Sequence, residues 1–108
     1  MSFTSAVASI FGLNKPVITK AEQIVVADVA VQAGRKHRNH KAVAAAVAEF
    51  YLVERHRQHA RRYSWRYNSA EREFLDERHA TALEGIVDAG IGVDEFEAIY
   101  RELFATNR

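Results

Sequence analysis

The sequence predicts an all-α fold, a single-domain bundle of four main helices with a short amphipathic helix in front of them. Three observations support this prediction. Apolar residues recur at helical spacing in the long segments, three of these segments begin at a capping pair, and the joints between segments are short. Short joints favour antiparallel neighbours, and 108 residues are enough to bury one core without disulfides.

The first segment predicts a docking helix over residues 1–12, joined to the bundle by a linker over residues 12–18. Gly12 and Pro16 end the helical pattern. The apolar side of this helix consists of Phe3, Val7, Ile10 and Phe11. Such a helix either covers its own bundle or inserts into another chain.

Residues 19–34 predict the first main helix. Thr19 and Glu22 have the spacing of a capping box, and Gly34 is placed as a C-terminal cap. The runs IVV and VAV are rich in β-branched residues, but the polar residues lack the two-residue alternation of a half-buried strand. Apolar residues point in nearly every direction around this helix, which predicts that it is the most buried one.

Three further helices are predicted, over residues 40–66, 69–89 and 94–105. The long one contains no Gly or Pro and many good helix formers. The next begins at the capping pair Asn68 and Glu71 and stops at Gly90. In the last, Asp94 and Glu97 are spaced as an N-cap and its reciprocal partner, ahead of a strongly amphipathic pattern.

Charge is segregated along the chain, although the net charge is only +1. Residues 34–67 hold nine bases and two acids, whereas residues 68–108 hold four bases and ten acids. This asymmetry indicates either an interaction with nucleic acid or another polyanion, or two oppositely charged helices that lie against each other within one domain. The sequence leaves both interpretations open.

Positive charge is most concentrated in residues 55–67, RHRQHARRYSWRY, which contain five arginines and no acid. On a helix, Tyr63 and Tyr67 continue the apolar side and are expected to pack inward. Trp65, the single tryptophan, lies off that side and within reach of the guanidinium groups of Arg61 and Arg62. The candidate binding residues are Arg55, His59, Arg61, Arg62, Trp65 and Arg66.

A second basic patch lies around the start of the same helix and consists of Arg35, Lys36, Arg38 and Lys41. Positive charge is mildly unfavourable at a helix N-terminus, so local helix energetics do not explain this patch. A helix over residues 40–66 is roughly 40 Å long. The two basic patches are therefore expected near its opposite ends.

Two functions are consistent with these surfaces. The favoured hypothesis is a small non-enzymatic interaction protein that docks onto a protein partner, or onto itself, within a larger assembly, because Arg, Tyr and Trp are enriched at interface hot spots. The alternative is sequence-nonspecific binding of nucleic-acid phosphates by the same basic helix. A helix-turn-helix interpretation of residues 86–104 is rejected, because its acidic recognition helix would be repelled by DNA.

Neither an enzyme nor a cofactor is expected, because the sequence has no nucleophile elbow, phosphate-binding glycine loop or H-E-x-x-H motif. A site of histidines and carboxylates in the bundle, binding a metal, is a remote alternative. Three pairs are spaced three residues apart, namely His37 and His40, His56 and His59, and Asp76 and His79. A cation at His59 would be repelled by the neighbouring arginines, and no metal ligand is predicted.

Residues 9–16, SIFGLNKP, resemble the beginnings of some bacteriophage structural proteins. The resemblance covers eight residues and implies an assembly component. The N-terminus lacks the positive region of a signal peptide, and no apolar run reaches the length of a membrane span. Together with the absence of cysteine, this predicts a cytoplasmic protein, or a component of a particle assembled in the cytoplasm.

Overall fold

The computed structural model describes residues 16–105, and within that range it contains helices and no strand. The α-helices are α1 (Lys20–Arg35), α2 (His40–Arg62), α3 (Ser69–Asp88) and α4 (Val93–Phe104), with a 3-10 turn at Ser64–Arg66. The all-α fold class is thus confirmed. The predicted docking helix over residues 1–12 and most of its linker lie outside the described residues.

Helix α2 is the central element of the bundle. Helices α1 and α3 both pack against it, and α4 contacts α1 and places Phe96 and Phe104 against the rings of Phe50 and Tyr51. Four of the five largest fully buried side chains belong to α2: Val43, Val47, Phe50 and Tyr51. Burial of this apolar surface is the main favourable contribution to the fold.

Helix α1 is not the most buried helix, in contrast to the prediction from its apolar pattern. Val26, Val29 and Ala30 enter the core, but Ile24 and Val31 remain exposed. The apolar residues of α1 surround the whole helix, and its packing against α2 and α4 buries only some of them.

Two of the three predicted capping pairs are confirmed. Thr19 with Glu22 and Asn68 with Glu71 form reciprocal capping boxes at the starts of α1 and α3. The third pair is wrong, because α4 begins at Val93 after Gly92 and has no side-chain cap. Asp94 lies instead in the first turn, where a negative charge is favourable beside the helix dipole.

Gly34 does not terminate α1 as predicted. The helix continues to Arg35, and Gly34 lies buried within its last turn. A Cβ atom at this position would lie 2.6 Å from the carbonyl oxygen of His40, so the glycine allows the end of α1 and the start of α2 to approach closely. Gly90 does follow the end of α3 as predicted, with a positive φ of 87°.

The long helix is shorter than predicted, since α2 ends at Arg62 rather than at residue 66. Tyr63 leaves helical geometry, the next three residues form the 3-10 turn, and Tyr67 is extended. The extended backbone allows Tyr67 to pack with Ala60 and Leu75 in a small second core. The chain can then reverse its direction into the capped start of α3.

Candidate interaction surface

The 3-10 turn after α2 presents the most exposed aromatic side chain of the candidate site. Trp65 is 77% exposed, and Arg61, Arg62 and Arg66 beside it are also exposed. We call these four residues the Arg/Trp face. Because the α-helix ends before Trp65, the face combines the last turn of α2 with the 3-10 turn and is not one continuous helical stripe.

The backbone around the Arg/Trp face is fixed by its neighbours. Tyr67 is buried, and its hydroxyl oxygen lies 2.7 Å from Nδ1 of His59. Arg72 donates a 2.8 Å hydrogen bond from its guanidinium to the Tyr67 carbonyl oxygen, and the Asn68 capping box follows directly. The end of the turn at Tyr67 is therefore anchored to α2 and to the start of α3, which limits the conformational freedom of the residues it presents.

His59 supports this turn as a neutral imidazole. Burial lowers the pKa of His59 below its usual 6.5, and the positive charges of Arg55 and Arg66 lower the pKa further. Burial raises the pKa of Tyr67, and the negative charge of Glu71 acts in the same direction. At neutral pH the Tyr67 hydroxyl keeps its proton and can donate it to Nδ1 of the neutral His59 ring.

Guanidinium groups lie over the aromatic rings of the turn. The Cζ atom of Arg66 is 5.2 Å from the centre of the Trp65 ring, and Arg62 and Arg66 lie 5.7 and 5.6 Å from the centre of the Tyr63 ring. Such contacts are attractive because the ring faces carry partial negative charge. The sequence predicted Arg61 or Arg62 over Trp65, and the structure places Arg66 there instead.

The two predicted inward tyrosines have different environments. Tyr67 is buried as predicted, whereas Tyr63 is only half-buried and its ring lies 6.5 Å from that of Trp65. The chain leaves helical geometry at Tyr63, so this residue no longer continues the apolar side of α2. The guanidinium groups of Arg62 and Arg66 lie over the Tyr63 ring instead.

Arg57 and Arg55, about one and two turns before the face, are engaged within the fold. The Arg55 Nε atom donates to Glu22 of α1 at 3.2 Å, and the hydroxyl of Tyr51 donates to the same carboxylate. Arg57 contacts Glu54 at 3.4 Å and Asp76 of α3 at 3.3 Å. Arg55 and His59, both predicted binding residues, therefore contribute to the bundle, while Arg61 and Arg62 form no ion pair within residues 16–105.

Ion pairs form between the basic segment, residues 34–67, and the acidic segment, residues 68–108, but they involve few of the charged side chains. Arg57 pairs with Asp76 and His37 lies 2.8 Å from Glu95, while Arg78 of the acidic segment pairs with Glu49 at 2.6 Å. Packing of two oppositely charged helices therefore accounts for part of the charge pattern, and Arg61 and Arg62 take no part in ion pairs among residues 16–105.

The second basic patch lies at the joint between α1 and α2, at the other end of the bundle's central helix. All four of its residues are exposed, namely Arg35, Lys36, Arg38 and Lys41. The joint is held by His37, which contacts Glu95, and by Asn39, which donates a 3.1 Å hydrogen bond to the Ala89 carbonyl oxygen. The structure thus separates the two patches, as the sequence predicted.

Sequence reasoning missed a buried carboxylate on α2. Glu54 is 7% exposed and accepts hydrogen bonds from Tyr100 at 2.7 Å and from Arg57 at 3.4 Å. Arg57 also lies 3.3 Å from Nε2 of His79, whose pKa is lowered by burial first and then by the charge of Arg57. A neutral His79 accepts from Arg57, so its 3.5 Å contact with Glu54 is not an ion pair at neutral pH.

The position of Glu54 in the sequence does indicate that it is buried. It lies four residues after Phe50 and seven after Val47, which places it on the buried side of α2. A carboxylate on that side requires hydrogen-bonding partners, because an unpaired buried charge is costly.

Residues 16–105 hold no group of three or more histidines and carboxylates arranged to bind a metal ion. Within the pair of Asp76 and His79, each side chain contacts Arg57. The charge of this arginine opposes the binding of a cation between them.

Comparison with protein-family models, with curated proteins and with solved structures gave no match to this chain. Among the described residues, no helix has the length and apolar character required to cross a membrane.

Proposed function

We propose that this chain is a small non-enzymatic interaction protein that binds an acidic surface of another protein, or of a second copy of itself, within a larger assembly. The observation that carries the proposal is the exposure of Trp65 on a turn whose end at Tyr67 is anchored to α2 and α3. Burying a large indole surface in an interface would be strongly favourable. Since the turn is already ordered, binding costs less conformational entropy.

The charges around Trp65 define the kind of surface that fits it. Arg61 and Arg62 are exposed and outside ion pairs among the described residues, so they can pair with carboxylates of a partner. A second copy of the chain offers such a surface, because α3 and α4 expose several acidic residues. These are Glu73, Glu77, Glu84, Asp88, Asp94, Glu97 and Glu102.

The proposal is tested by recovering the native assembly with tagged protein and identifying its components by mass spectrometry. Trp65→Ala should lose a component that wild type retains. Val93→Ala is a matched control, because Val93 is a comparably exposed apolar residue far along the chain from the Arg/Trp face. Identical recovery with Trp65→Ala and with wild type would contradict the proposal.

Self-association is tested on the purified protein by sedimentation velocity over a range of concentrations. If a second copy is the partner, wild type and Val93→Ala should form a dimer or larger species that Trp65→Ala does not form. A monomer at all concentrations would exclude the second copy and leave a different protein as the partner.

Binding of nucleic-acid phosphates is a second candidate, favoured by the guanidinium groups that surround an exposed ring on which a base could stack. As the single tryptophan, Trp65 reports directly on such contact through its fluorescence. If a single-stranded oligothymidylate binds here, it should quench Trp65, and Arg62→Ala should reduce the slope of log affinity against log salt by about one. Unchanged fluorescence would exclude stacking on this face.

A further inference from the structure

The side of α2 that no other described helix covers forms one wall of a groove. Around α2, Arg55 reaches α1, Glu54 reaches α4 and Arg57 reaches α3. The remaining side carries Leu52, which is 50% exposed, with Glu49 and His56 one turn to either side. Leu52 lies in the middle of the central helix and lines the groove together with apolar residues of α3.

The groove has a volume of about 820 Å³ and runs between the start of α1 and the first half of α3. Its apolar lining comes from α2, from α3 and from the residues that precede α1, while α1 itself contributes Gln23. These lining residues include Ile18, Leu52, Val53, Phe74 and Leu75. The Glu49–Arg78 ion pair connects α2 and α3 at its edge. The lining is therefore mainly apolar, with a charged rim.

The polypeptide enters the bundle at this groove. Pro16, the first residue that the structure describes, is buried and is itself part of the groove lining. The four residues 12–15 would span up to about 13 Å if extended. A helix over residues 3–11 would be about 13 Å long. Both lengths allow the N-terminal segment to fold back over Leu52.

The composition of that segment matches the groove. Residues 2–14 contain no charged side chain, and Phe3, Val7 and Ile10 share one side of the predicted helix, with Ser5 and Ser9 on the opposite side. We propose that residues 3–11 of the same chain dock as an amphipathic helix in the groove over Leu52, with Phe3, Val7 and Ile10 against α2 and α3. This inference concerns a different surface from the Arg/Trp face.

The absence of cysteine from the chain permits a direct test by disulfide cross-linking. The variant Ile10→Cys with Leu52→Cys is compared with Ser9→Cys with Leu52→Cys. The two tether lengths differ by a single residue, but Ser9 points away from the apolar side of the predicted helix. Under mild oxidation of dilute protein, the Ile10 pair should form an intramolecular disulfide about tenfold faster or more than the Ser9 pair.

Equal rates for the two pairs would overturn the proposal, because a segment that is tethered but not docked has no preferred side. Covalent dimers as the main product would also overturn it, in favour of a groove that accepts the N-terminal segment of a second copy. Leu52 is half-exposed, so Leu52→Cys is not expected to prevent folding, and circular dichroism of the reduced variants checks this.

A second measurement does not depend on the choice of cross-linking position. Val7→Asp would place a charge in the groove, whereas Ser5→Asp would place the same charge on the solvent side. Docking predicts that Val7→Asp lowers the melting temperature and that Ser5→Asp leaves it unchanged. A melting temperature that is the same for both variants would contradict docking.

Discussion

The middle of α2 and its C-terminal end carry the same kind of residue in different roles. In the middle, Arg55 and Arg57 are satisfied by carboxylates of α1, α2 and α3 and hold the bundle together. At the end, Arg61 and Arg62 extend beyond these partners, beside a tryptophan on a fixed turn. The comparison teaches that position along the helix, and not the density of charge, separates structural arginines from those available for binding.

The physical reason is the geometry of the neighbouring helices. Helices α1 and α3 flank α2 where Arg55 and Arg57 lie. Arg55 meets Glu22 and Arg57 meets Glu54, two carboxylates that are largely shielded from water. The chain turns away from α2 immediately after Arg62. Charges at this end therefore face solvent, where an ion pair would contribute little to stability.

Replacement of Glu54, in the middle of α2, is expected to have the largest effect on stability. Glu54→Ala should lower the free energy of unfolding by about 2 to 3 kcal/mol, because Arg57 and Tyr100 would each lose a partner in a largely buried network. Urea denaturation measures this change. Glu77→Ala removes an exposed carboxylate and is the matched control, and equal losses for the two variants would contradict a structural role for Glu54.

Replacement of Arg55 and of Arg62 is expected to give a smaller difference in stability. Arg55→Ala should cost about 1 kcal/mol of stability, since it removes the partly buried contact with Glu22. Arg62→Ala should lower the urea midpoint less, because Arg62 has no ion pair within residues 16–105 and loses only its exposed contact with the Tyr63 ring. If Arg62→Ala destabilised the fold as much as Arg55→Ala does, the distinction between the two regions would be lost.

Acidification should weaken both regions through their histidines. The unfolded chain takes up protons at His59 and His79 near pH 6.5, whereas the folded chain, with both pKa values lowered, takes them up at lower pH. Stability is therefore complete above pH 6.5 and decreases as the pH falls below it. The stability that Glu22 contributes changes little between pH 7 and pH 5, because the pKa of Glu22 lies below the usual 4.5. Burial raises this pKa, but hydrogen bonds from Tyr51, the Thr19 backbone and Arg55 together outweigh that effect.

The histidine contribution is checked by urea denaturation of wild type and of His79→Gln at pH 7 and pH 5. The variant should lose less stability than wild type between the two pH values. An identical pH dependence would mean that His79 is not held neutral by its surroundings.

The fold class was predictable because it follows from local patterns. Apolar periodicity and the capping boxes at Thr19 and Asn68 identify the helices without knowledge of their packing. The end of α2 was not predictable in the same way. It depends on the burial of Tyr67 against Ala60 and Leu75, a contact between helices that the helix-favouring sequence of residues 62–66 does not reveal.

The candidate surface was predictable in part for a similar reason. The single tryptophan off the apolar side indicated an exposed Trp65, which the structure shows. The pairing of Arg55 with Glu22 could not be foreseen, because it requires the relative orientation of α1 and α2. The role of Gly34 likewise depends on how closely the backbone approaches His40.

The affinity of Trp65→Ala for the partner recovered with wild-type protein tests the binding role of the Arg/Trp face most directly. We expect a loss of about 2 kcal/mol or more, which is roughly 30-fold or more in Kd, with an unchanged free energy of unfolding. Val93→Ala should bind as wild type does. A Trp65→Ala affinity equal to that of wild type would contradict the proposal and leave the end of α2 as an ordinary solvated surface.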